Sequence, residues 1–130
     1  LPDLSEQVQS AIQEIQPEAQ AYAEAYGEDC LDQQGNSVRF TAKETDFYLT
    51  LLAIDLNDQN ELGNLLDQAL TALDEFPAEQ TPGPQSGYVG ITFQAEGGES
   101  RLWFRVEEAD DFRQSGLHGA DLLKALSNNP

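Results

Sequence analysis

A chain of 130 residues with 39% hydrophobic content is long enough to bury a core as a single domain without disulfides or a structural metal. Its 24 acidic residues against six basic ones give a formal charge of −18, which excludes nucleic-acid binding through a general basic field, because the summed potential repels phosphate. The lone cysteine, Cys30, excludes a disulfide framework and a cysteine-rich metal site, and no apolar run of about 18 residues offers a membrane span.

In chain order, residues 3–27 read as an N-terminal helix. Leu4, Val8, Ile12, Ile15, Ala19, Tyr22 and Tyr26 form one stripe, and Asp3 with Glu6 has capping-box spacing. Pro17 kinks this helix or splits it in two, and residues 28–36 are a loop by composition. Residues 37–76 form a strand-and-helix core. Val38, Phe40 and Ala42 alternate with Arg39, Thr41 and Lys43, and the segment folds back on residues 46–55 through Glu44-Thr45 as a hairpin. Glu-Thr is a poor turn because neither residue tolerates positive φ. The competing reading starts a helix at Thr41.

The central helix follows, with Leu62, Leu65, Leu66, Ala69, Leu70, Leu73 and Phe76 on one stripe. Asp58 and Glu61 can close a capping box at its start, and Pro77 stops it. Gly63 inside its first turns costs about 1 kcal/mol relative to alanine and suggests close approach of a neighbour. Residues 77–87 are an irregular loop. Residues 88–107 form a hairpin about Gly97-Gly98, with Val89 facing Val106, Ile91 facing Phe104 and Phe93 facing Leu102. Residues 108–127 hold short C-terminal helices. The sum is one α+β domain spanning residues 1–130, an antiparallel sheet of about four strands with helices packed on it, in the order α-ββ-α-ββ-α.

The charge has a measurable consequence, since Asp74 and Glu75 add to the general repulsion by lying at the helix end where the dipole opposes them. The melting temperature should rise as sodium chloride goes from about 0.01 to 0.5 M, a range over which the Debye length falls from roughly 30 Å to under 10 Å. A flat or falling curve would remove self-repulsion as a significant term.

Chemistry-bearing motifs are sparse. Residues 55–66 space oxygen side chains like a calcium loop, but the sixth position is Asn60 and the twelfth is Leu66, so a strand end and helix cap is the better account. Glu107, Glu108, Asp110 and Asp111 suit the positive end of a helix. His118 has no second histidine for a zinc site and no evident nucleophile, and Cys30 beside Asp29 and Asp32 has its thiolate disfavoured. No phosphate loop or nucleophile elbow is present. The sequence therefore supports no enzyme, no cofactor and no metal.

One clustering calls for an explanation in so acidic a chain. Arg39, Lys43, Arg101 and Arg105 fall on one side of their strands with Tyr48, Tyr88, Thr92 and Trp103. The preferred account is that the N-terminal helix covers this face and pairs glutamates with the arginines. The other is that Arg39, Tyr48, Tyr88, Arg101, Trp103 and Arg105 bind a protein or an anionic small ligand.

The start at Leu1-Pro2-Asp3, the lack of methionine, the many glutamines and the few lysines lead to the expectation of an exported domain. It would be extracytoplasmic or at the cell surface, tethered in lipoprotein fashion by a segment outside this sequence; a piece of a larger cytoplasmic protein is the alternative. The function expected is that of a non-catalytic interaction domain. The alternative is an acidic inhibitor or immunity-type protein that blocks a basic enzyme.

Overall fold

The computed structural model describes residues 2–77, 80–83 and 85–127, and of residues 2, 28–30, 37–41 and 86 it describes the backbone alone. The elements are α1 (Pro2–Gln13), β1 (Gln20–Leu31), β2 (Ser37–Leu52), α2 (Gln59–Leu73), β3 (Gln85–Ala95), β4 (Gly98–Arg105), α3 (Val106–Gln114) and α4 (Gly119–Ser127). The fold is α+β, with four helices and a four-stranded sheet in the order β1-β2-β3-β4. The sheet is mixed. β1/β2 and β3/β4 pair antiparallel, whereas β2 and β3 are parallel, joined by a crossover that contains α2. This corrects the wholly antiparallel sheet; the element order is α-ββ-α-ββ-αα, and the short C-terminal helices expected over 108–127 are α3 and α4, the first of which begins at Val106.

The largest departure is in the first third. The expected helix over 3–27 stops at Gln13, and β1 begins at Gln20 after the break at Pro17. Ala19, Ala21 and Ala23 are buried and alternate with outward Gln20, Tyr22 and Glu24, a period of two. The expected hairpin of 37–43 on 46–55 is absent, because Ser37–Leu52 is one strand paired along its length with β1. The residues of 28–36 form the end of β1 and a tight turn. There Asp32 accepts backbone hydrogen bonds from Gln34 and Asn36 at 2.9 Å, and Gly35 supplies the positive φ of 83°.

The inward residues Phe47, Leu49, Leu51, Val89, Ile91, Phe93, Leu102 and Phe104 share one buried cluster with the apolar stripes of the helices. In α1 these are Val8 and Ile12, in α2 Leu62, Leu66, Ala69 and Leu70, and in α4 Leu122, Leu123 and Leu126. The hairpin faces are as expected, but the register differs by two residues: Val89 pairs with Phe104 and Ile91 with Leu102. The turn is Glu96-Gly97, with positive φ on Gly97 and Gly98 already paired to Ala95.

Side chains from α1 and from the turn after it finish the backbone bonding of the sheet. Ser5 Oγ donates to the Ala23 carbonyl at 3.1 Å and accepts from the Ala23 amide at 3.0 Å, which closes part of the outer edge of β1. The Gln16 amide does the same for Leu52, donating to its carbonyl at 2.6 Å and accepting from its N–H at 2.8 Å. Asp58 caps α2 by accepting from Asn60 and Glu61. Glu61 reaches back past the cap to accept from the amides of Ile54 and Asp55, at 2.7 and 3.0 Å. The segment read as an imperfect calcium loop is thus a strand end tied to a helix start.

Candidate functional site

With α1 packed on β1 and α2 through the common core, the first helix does not cover the opposite sheet face. The preferred account of that face is overturned. Its residues come from the outward positions of four strands, and register decides which of them meet. Tyr22 lies opposite Tyr48, Gly90 opposite Trp103, and Tyr88 opposite Arg105.

Two irregularities set the geometry. Where Thr45 pairs with Ser86 and Phe47 already pairs with Val89, the register shifts by one, so Asp46 faces the Gly87-Tyr88 step. Asp46 is buried there and accepts from the Tyr88 amide at 2.8 Å. A Cβ on residue 87 would stand 2.1 Å from the Thr45 carbonyl oxygen, so only glycine fits this approach. The second is Gly90. A Cβ on it would lie 2.8 and 2.9 Å from Cε3 and Cζ3 of Trp103, so the indole occupies space that a side chain at residue 90 would take.

The result is a continuous aromatic row. Tyr22 stacks on Tyr48 at 4.9 Å between centroids, Tyr48 meets Trp103 at 5.9 Å, and Trp103 stacks on Tyr88 at 4.8 Å with 12° between planes. The Arg105 guanidinium carbon caps the row 4.3 Å above the Tyr88 ring. At the other end the Tyr26 hydroxyl donates to Glu24 at 2.6 Å and lies 2.9 Å from the Tyr48 hydroxyl. Since Tyr26 has one proton and gives it to Glu24, Tyr48 is the donor to Tyr26. Hydrogen bonds to Glu24 and Tyr48 hold the Tyr26 hydroxyl well above the usual tyrosine range, and a hydrogen bond to Asp46 raises the Glu44 carboxyl. The Tyr26 hydroxyl keeps its proton and gives it to Glu24.

No family model, curated protein or solved structure matches this chain. The face is therefore judged on its own chemistry. Of the residues singled out from sequence, Tyr48, Tyr88, Trp103 and Arg105 are brought together. Arg101 is on the same face but exposed and paired with Glu99 at 3.0 Å. Arg39 pairs with Cys30 in the backbone register, and its side chain lies outside the described residues. Lys43 is the extra residue of the bulge between Tyr26–Glu44 and Gly27–Ala42, which takes it out of the expected cluster. Sequence reasoning missed Tyr22 and Tyr26, which it assigned to a helical stripe. Among the described residues, no group of three or more His, Cys, Asp or Glu is arranged to hold a metal, and no helix is long and apolar enough to cross a membrane.

Proposed function

We propose that this protein is a non-catalytic binding domain, exported or tethered at a cell surface, whose partner is a protein or peptide segment held on the open face of the sheet. The observation that carries this is the aromatic row. Trp103 is 50% exposed, Tyr22 48% and Tyr26 44%, on a face that the described helices leave uncovered. Tryptophan, tyrosine and arginine are the residues most enriched at protein-binding hot spots. The stacking partners occupy one another's faces, so the row offers edges and hydroxyls outward. That supports a protein surface over a sugar, which needs a free ring face. Arg101 and Arg105 are engaged with Glu99 and Tyr88, which supports a mixed aromatic and polar contact over an anion clamp. The extracytoplasmic setting rests on composition.

The test is capture of partners from native extract by immobilised wild-type protein, by Trp103→Ala and by Arg105→Ala. Truncating a hot-spot tryptophan is expected to weaken the specific complex by roughly thirtyfold, about 2 kcal/mol, while the melting temperature stays within a few degrees of wild type. Unchanged capture by both folded variants would reject the open face as the binding surface.

A further inference from the structure

A second site lies across the sheet from the aromatic row and owes nothing to it. Between α2, α3 and the parallel pair β2/β3 is a half-enclosed cavity of about 200 Å³, walled by Phe47, Leu70, Leu73, Val89 and Val106. Its charged rim is Asp74, Asp110 and Arg113, and Thr45 and Thr81 also line it. Arg113 binds Asp74 in a two-pronged contact, Nη1 to Oδ1 at 3.0 Å and Nη2 to Oδ2 at 2.7 Å. Its Nη1 is 3.6 Å from Asp110 Oδ1, too far for a hydrogen bond. One guanidinium thus faces two carboxylates, and the fork that could take an anion is already filled.

We propose that this cavity binds a small organic cation, an ammonium or amidinium group carried on one ring or a short branched hydrocarbon. Asp110 is the acceptor the charged group would reach, with a side chain 47% exposed and, among the described residues, no cation nearer than Arg113 at 3.6 Å. Burial raises its carboxyl, Arg113 only partly offsets this, and the nearby Asp74, Asp111 and Glu107 raise it further; a cation beside it relieves the excess of negative charge that those carboxylates make. The volume decides the size of the body, since an apolar cavity of about 150 Å³ accommodates a benzene ring. The chain's charge of −18 attracts such a cation from solution.

The experiment is an amide-resolved NMR titration of the intact chain with three probes of one shape: benzylammonium, benzyl alcohol and benzoate. Benzylammonium should bind with a dissociation constant on the order of 1 mM, as suits a ligand of this size, and should shift amides of α3 and the adjoining parts of α2 and β2. Benzyl alcohol should bind at least about tenfold more weakly, the difference made by a charged hydrogen bond, and benzoate weaker still. Asp110→Asn keeps the volume and should abolish the preference for the cation, while Val106→Phe should fill the cavity and exclude all three. Equal binding of alcohol and cation, a preference that survives Asp110→Asn in the folded protein, shifts centred on Trp103, or no saturable binding of benzylammonium would each overturn the proposal. None of those results bears on partner capture by the open face.

Discussion

Gly63→Ala should destabilise the protein by roughly 3 kcal/mol or more, at the upper end of the costs of overpacking, even though alanine is the better helix former by about 1 kcal/mol. The reason is steric. A Cβ on residue 63 would stand 2.3 Å from the Gly119 carbonyl carbon and 2.4 Å from the Ala120 nitrogen. Both are backbone atoms, so no side-chain rotation can relieve the overlap, and α4 would have to lift from α2. The same crossing holds a second tie, in which the Gly119 amide donates to Asp67 Oδ2 at 2.7 Å. A thermal melt should show a loss of roughly 10 °C. Asn64→Ala, on the exposed side of the same turn, is the control. Equal melting of the two variants would mean that α2 and α4 do not approach at Gly63.

Phe104→Ala should cost about 3–5 kcal/mol, the usual range for emptying a buried aromatic site. Phe104 is 2% exposed and pairs across the sheet with Val89, which is fully buried. Urea denaturation should show the midpoint falling with the slope unchanged, since the surface exposed on unfolding is nearly the same. Trp103, the preceding residue on β4, points the other way, and its truncation should cost far less. A Trp103→Ala variant that loses as much stability as Phe104→Ala would mean that the two faces are exchanged.

Those faces were legible in the sequence because alternation survives an error of register. Placing the turn on Gly97-Gly98 instead of Glu96-Gly97 moves every pair by two, and two residues is one full period of a strand. The central helix was legible for a similar reason, with leucines dense enough at three and four spacing to leave no alternative. The first third was not. Ala19, Ala21 and Ala23 are too small to mark a period, and Tyr22 and Tyr26, four apart, satisfy both a helix stripe and the outer face of a strand. In β2 the bulge at Lys43 changes the phase of the alternation midway. A hairpin turn does the same, so the two halves of one strand looked like two strands. The parallel pairing of β2 with β3 depends on contacts more than 40 residues apart and leaves no local trace. The candidate site was partly legible as a consequence. Its residues on β3 and β4 followed from alternation, whereas its continuation onto β1 required knowing that 20–31 is a strand.

Trp103 is the single tryptophan of the chain, and its place in the row gives the protein a built-in optical reporter of its surface. Excitation absorbed by Tyr48 and Tyr88, at 5.9 and 4.8 Å, passes to an indole half in water, so the emission reads the open face and is nearly blind to the core. Spectral shifts on mixing therefore follow events at that face. Loss of the core is followed separately by circular dichroism, and one sample yields both signals without a label.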